Sequence, residues 1–204
     1  RDDVESRGLG DVYKRQDKTG EMIDKLCPIH PMTIRLLSRV AESFAAAQRT
    51  MFRFMKDQSN SDIGFVGYIN HYGPDDEARW LTPEWLWDYF FTRESDFSDK
   101  DTKVAPYIQH YEESLHLVES DEDALRLFKI VMLLLAVSST TKGAYGVRHM
   151  QGGIAATLDC LENCVAGVLS KDKVRDLLAT LEESKLVLQD QAANGTIRLQ
   201  LPFK

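Results

Sequence analysis

KDKVRDLLATLEESKLVLQDQAANGTIRLQL, Lys171 to Leu201, changes its hydrophobic period half-way along. In its first half Val174, Leu177, Leu178 and Leu181 fall at i, i+3, i+4 and i+7, the spacing of one helix face. In its second half Leu186-Val187-Leu188 and Ile197, Leu199, Leu201 flank an Asn194-Gly195 pair, the pattern of a β-hairpin. A two-residue Asn-Gly turn, with positive φ at both positions, is expected there.

Working upstream, the spacing predicts another helix around Ile154 to Val168. A polar, glycine-containing linker, Ser138 to Gly153, precedes it. Helix, helix, then hairpin is the order of a winged-helix domain, placed over 138–204. Before the linker, Ala124 to Val137 is apolar nearly all round, so it reads as a central helix started by the Ser120-Asp121-Glu122-Asp123 run. A further helix is expected from about Val104 to Glu119. Thr82-Pro83-Glu84 combines an N-cap residue, a proline at the first helical position and an acid facing the dipole, and it leads into the aromatic run Trp85 to Phe91.

A long helical pattern runs from Pro31 to Lys56. Leu37, Val40, Phe44, Gln48, Met51 and Met55 lie on one side, flanked by Leu36, Ala41, Ala47 and Phe52. Arg35, Arg39, Arg49 and Arg53 line the opposite side. The apolar arc has to face a core, which turns the arginines towards solvent, nucleotide or a partner. The expected fold is mainly α: a helical lid-like domain over 17–137, then the winged-helix-like domain with its small C-terminal hairpin.

The first sixteen residues have no helical or strand period. Ser6 to Gln16 (SRGLGDVYKRQ) back-translates to DNA resembling a transposase-type sequencing-library adaptor, so 1–16 reads as a translated adaptor and not as native sequence. On that reading the natural sequence starts near Asp17, the chain is a piece of something longer, and Gly8-Leu9-Gly10 is no phosphate loop. The segment carries four basic and four acidic residues, so the net charge of −7 is unaffected. That balance argues against a protein that generally coats nucleic acid. Three cysteines, none in a CxxC pair, exclude a disulfide framework and fit a reducing, cytoplasmic setting. The longest apolar run, Ile130 to Val137, is too short for a bilayer, so no membrane partner is expected.

No catalytic set declares itself. There is no GxxxxGK[ST] and no apolar strand ending in Asp-Glu, so both phosphate- and magnesium-binding motifs of a P-loop ATPase are absent from the chain. No HExxH motif exists, and Cys160 with Cys164 reads as two small buried hydrophobes on one helix face.

Two stretches carry more information: Cys27-Pro28-Ile29-His30-Pro31, followed by a helix ending GlnArgThrMetPheArgPheMet (Gln48 to Met55), and LTPEWLWDYF, Leu81 to Phe90. Together they resemble a region downstream of the ATPase core in large bacterial P-loop ATPases of BREX-type phage-defence systems, over Leu26 to Phe91. The resemblance implies a lid of the kind found in AAA and STAND ATPases, which closes over nucleotide and presents an arginine to its phosphates. It would place His30 and Pro31 near the adenine and Arg49 at the phosphates, with Arg53 in reserve. ATP and Mg would belong to the intact parent, and the first partner would be the P-loop core of the same chain. An oligomer, other defence proteins or DNA are further partners to consider. The alternative is a non-enzymatic DNA-binding or regulatory module built on the winged helix. Against it, Lys171 to Ser184 and the following Lys185 mix Lys171, Lys173, Arg175 and Lys185 with Asp172, Asp176, Glu182 and Glu183, too balanced for a phosphate-tracking helix.

Overall fold

The computed structural model describes residues 27–44, 47–58, 62–72, 80–91, 103–140 and 154–202, with the side chains of 43–50 and 140 outside that description. The 1–16 segment also lies outside it. The elements in order are α1 (Pro31–Phe44), α2 (Ala47–Lys56), α3 (Gly64–His71), α4 (Glu84–Phe91), α5 (Ala105–Ser114) with a 3-10 turn at Leu115–Leu117, α6 (Glu122–Thr140), α7 (Leu158–Cys164), α8 (Lys171–Glu183), β1 (Leu188–Gln191) and β2 (Ile197–Gln200). The fold is mainly α with a small C-terminal antiparallel hairpin, as the period change required.

α6 is the hub. Asp121 starts it, its Oδ1 accepting the Asp123 and Ala124 amides at 3.0 and 3.1 Å. Every residue from Ile130 to Val137 is buried, and the helix packs on α1, α4, α5, α7, α8 and β2. At about 1.5–3 kcal/mol per fully buried large aliphatic side chain, this one element supplies a major share of the driving force. One continuous cluster of buried side chains runs from Met32 to Leu199 through it.

The winged-helix order is reproduced with one addition. Ala156 and Thr157, expected inside a helix beginning at Ile154, lie outside it: Ala156 is a bend across which the Thr157 amide donates to Ala155 O at 2.9 Å, and Thr157 is extended. Thr157 bridges Arg198 in antiparallel sense, and the Leu199 amide donates to the Ala156 carbonyl at 2.8 Å. A minimal third strand thus edges the hairpin, and α7 starts only at Leu158, where the Thr157 side chain accepts the Cys160 amide. Ser170 caps α8 in the same way through the Lys173 amide. At its far end Lys185 adopts φ 56°, while the Leu186 amide returns to Leu181 O and the Lys185 amide to Glu182 O, both at 2.9 Å. This is a Schellman ending with lysine where glycine is usual.

The hairpin pairs Leu188 with Gln200 and Gln191 with Ile197. Its turn corrects the expected two-residue form. The Gly195 amide donates to Ala192 O and the Ala192 amide to Thr196 O, so three residues form the loop and Gly195 alone has positive φ, 82°. That is a type I turn closed by a glycine bulge, and Asn194 instead uses its Oδ1 to accept the Thr196 amide.

The Pro31–Lys56 pattern also needs one correction. Leu36, Leu37, Val40 and Ala41 are buried as expected, but on α2 it is Phe54 that is fully buried, while Phe52 is 61% exposed. Phe54 makes an edge contact with Tyr89 and stacks near Phe90. An aromatic cluster from α4 therefore decides which side of α2 turns inward. Phe52 instead carries the Lys56 ammonium 5.6 Å from its ring centroid.

Candidate functional site

The segment Cys27 to Pro31 and the segment beginning at Leu81 meet. Ile29 and Leu81 form a parallel bridge: the Leu81 amide donates to Pro28 O at 2.8 Å and the His30 amide to Leu81 O at 3.1 Å. Leu81 O also accepts the Thr33 hydroxyl at 2.7 Å. Pro31 then opens α1, where its missing N–H costs nothing.

His30 closes this seam against the winged helix. Its Nδ1 accepts the Met32 amide at 3.2 Å, so that nitrogen is unprotonated, and its Nε2–H donates to the Ala166 carbonyl at 3.1 Å. The ring is neutral, with the proton on Nε2. Desolvation holds its pKa below the ordinary value, opposed by the Ala166 carbonyl. Trp80 covers it edge-on at 5.9 Å between centroids. His30 is 5% exposed, and both of its ring nitrogens are bonded within the chain. Arg53, in the last turn of α2, is exposed, whereas the side chain of Arg49 lies outside the described residues. His30 and Pro31 therefore sit together at the seam, and Arg53 faces solvent on a different helix.

A second polar cluster, which sequence reasoning missed, lies beside the first. Glu84 is buried. Its Oε1 accepts the Thr82 hydroxyl and Arg126 Nε, while Oε2 has no partner among the described residues. Burial pushes its carboxyl above the usual range, against the Thr82 hydroxyl and the Arg126 charge. Arg126 also holds Asp123 at 2.8 Å and Glu122 at 3.1 Å. Glu84 could be read from the sequence only as a first-turn acid; its partner is 42 residues away.

No protein family, curated protein or solved structure matches the chain. The chemistry must be read from the residues themselves. Among the described residues no group of three or more His, Cys, Asp or Glu could hold a metal, and no helix is long and apolar enough to cross a membrane.

The candidate recognition helix α8 engages its basic residues locally. Glu162, with 3% of its side chain exposed, holds Arg175 Nε at 2.9 Å and Lys171 Nζ at 3.2 Å. Both pairs sit at the surface, with the Lys171 and Arg175 side chains 74% and 57% exposed, so the exposed face mixes Lys171, Lys173, Arg175 and Lys185 with Asp172, Asp176 and Glu183. A surface so evenly mixed is a poor match for a phosphate backbone, which calls for a clearly basic face.

Proposed function

We propose that the chain is a non-catalytic part of a P-loop ATPase, a helical lid and winged helix that relay the nucleotide state of the core to a protein partner. The observation that carries this reading is the His30 seam. The loop that opens the lid helix α1 is hydrogen-bonded both to the Trp80–Thr82 segment and to the turn between α7 and α8. A displacement of α1 is then passed to the winged helix without an intervening flexible joint. ATP and Mg would be held by the core. From this chain, Arg49 and Arg53 would reach the phosphates through charge-assisted contacts, while His30 serves the joint instead of the base. The setting would be cytoplasmic phage defence. The charge of α8 favours a protein over DNA as the partner of the winged helix.

Sequencing the genomic DNA 5′ of the Asp17 codon tests the reading directly. A GxxxxGK[ST] motif followed by a strand ending in Asp-Glu is expected in frame. A start codon immediately before Asp17 would end the ATPase reading. In the intact ATPase, Arg49→Ala should slow hydrolysis by the equivalent of about 1.5–3 kcal/mol, the contribution of a hydrogen bond to a charged group. Arg39→Ala, already paired with Glu42 at 3.0 Å, is the control and should leave the rate unchanged. Equal rates for both variants would return the arginines to a solvated helix face.

A further inference from the structure

The buried thiols Cys160 and Cys164 are used by nothing described so far. They lie one helical turn apart on α7, with the Cys164 thiol hydrogen-bonded to the Cys160 sulfur. Cys164 is fully buried, and Cys160 keeps 8% of its surface open. Two charged groups from other elements act on the pair. The Arg35 guanidinium of α1 favours the thiolate at both positions, and the Glu84 carboxylate opposes it at Cys164. The third cysteine, Cys27, is exposed and belongs to a different segment.

We propose that Cys160 and Cys164 form a peroxide-responsive dithiol site, in which Cys160 is oxidised and Cys164 resolves it into a disulfide that loosens the His30 seam. The Cys160 thiolate attacks one oxygen of a hydroperoxide. The S–O bond forms, the O–O bond breaks, and hydroxide (or alkoxide) leaves. The Cys164 sulfur then attacks the sulfenic acid: the S–S bond forms, the S–O bond breaks, and the thiol proton departs with the hydroxyl as water. Two thiols lose two electrons, and hydrogen peroxide is reduced to two waters.

Exposure separates the two roles, since Cys160 keeps 8% of its surface open to a peroxide while Cys164 is enclosed behind it in the core. Cys160 has its pKa lowered to about 7, first by the Cys164 hydrogen bond, so a large fraction is thiolate near neutrality. Cys164 is pushed the other way, by that same bond and by burial, and stays protonated until it is needed. Closing the disulfide has a structural cost that falls in one place. Cβ atoms one turn apart on a helix are about 5–6 Å from each other, and a disulfide needs about 3.5–4.5 Å. Cys164 is the last residue of α7, so the final turn can yield without breaking a longer helix. Two residues further on is Ala166, whose carbonyl holds His30. Oxidation is therefore coupled to the joint between α1 and the winged helix, whatever that joint serves.

The test uses the full chain carrying Cys27→Ser, so that only the pair can react. After treatment with hydrogen peroxide, quenching and unfolding, thiol titration should fall from two free thiols to none. Intact mass should fall by two hydrogens, and one cross-linked peptide should contain both cysteines. Adding Cys160→Ala should leave Cys164 reduced under the same treatment. Alkylation of the untreated, folded Cys27→Ser chain should show a pH midpoint near 7 at Cys160, against about 8.5 for an ordinary thiol; this readout needs no change in the pair. Two thiols still free after peroxide, or equal oxidation of Cys164 with Cys160 replaced, would overturn the proposal.

Discussion

The aromatic layer around α4 and the winged helix around α8 are built by opposite means. In the first, Trp87 lies 5.0 Å from Phe91 in a stack and 5.3 Å from Tyr111, which in turn stacks near Phe128 at 5.7 Å. Trp87 and Phe91 are i and i+4 on α4, but Tyr111 and Phe128 come from two other helices, and no local rule brings them to that pair. In the second, nearly every feature is local: a serine cap, an i, i+3, i+4, i+7 face, a Schellman ending and a glycine bulge. One region is held by distant packing and the other by chain-local chemistry, and both rest on α6.

The largest expected effect tests whether they share one core. Trp87→Ala removes a fully buried side chain from the aromatic layer and should cost about 3–5 kcal/mol. Urea unfolding followed by tryptophan fluorescence and by far-ultraviolet circular dichroism should show one coincident transition at a lower midpoint. Two separated transitions would break the comparison, because the winged helix would then stand without the layer. Trp87→Phe should lose less than Trp87→Ala, since the indole N–H has no acceptor among the described residues.

The next effect sits where the two regions touch. His30→Ala leaves the Ala166 carbonyl and the Met32 amide unpaired, at about 1–3 kcal/mol for each group left buried and unsatisfied. His30 also gives a pH signature of defined sign. Its pKa in the fold lies below the unfolded value of about 6.5, so in that window the unfolded chain binds more protons. Stability from this residue is present above about pH 6.5, and falls as the pH drops towards the folded value. Denaturation midpoints between about pH 5 and 8 should show this decline in the wild type and a smaller one in His30→Ala. An unchanged slope would mean that the ring is not held neutral.

These two residues also show how far the sequence could be read. The aromatic run Trp85 to Phe91 announced its own burial, and Asp121 announced where α6 starts, whereas Thr82, expected as an N-cap, spends its hydroxyl on the Glu84 carboxylate and α4 begins at Glu84. The pairing of Ile29 with Leu81 and of His30 with Ala166 spans 52 and 136 residues. No periodicity encodes such contacts, so the sequence could place His30 before α1 but could not show that its ring bonds Ala166 and Met32. On α2, Met51 and Met55 pack on the core as expected, but Phe54 is buried in place of Phe52 because Tyr89 and Phe90 of α4 hold it. The extended Thr157 likewise bridges Arg198 of β2, a partner 41 residues away that its own neighbours do not announce.

A smaller effect is expected at the hairpin. Gly195 holds φ 82° with open space where a Cβ would stand, so the penalty for substitution is backbone strain and not collision. Gly195→Val should cost about 1–2 kcal/mol, the penalty of left-handed backbone for an L-residue. Amide exchange across β1 and β2 should speed up while that of α6 stays as it was. Uniform acceleration through the whole chain would show that the hairpin and the core unfold together.

The smallest effect has the opposite sign. Lys185 occupies the left-handed position that ends α8, φ 56°, and its side chain is exposed. The two hydrogen bonds of the Schellman ending are backbone bonds, and the accompanying apolar contact is made by Leu186 and Leu181, both buried. Nothing in the motif therefore requires the lysine side chain, while its Cβ opposes the backbone the motif needs. Lys185→Gly removes that opposition, worth about 1–2 kcal/mol. Glycine's greater freedom in the unfolded chain takes back about 0.4–1 kcal/mol. The net expectation is a stabilisation of roughly 0.5–1 kcal/mol, read as a raised urea midpoint with an unchanged slope. Lys185→Ala keeps the Cβ and removes the rest of an exposed side chain, so it should leave the midpoint within error of the wild type. If alanine stabilised as much as glycine, the gain would come from removing the side chain, and the local account of how α8 ends would fail.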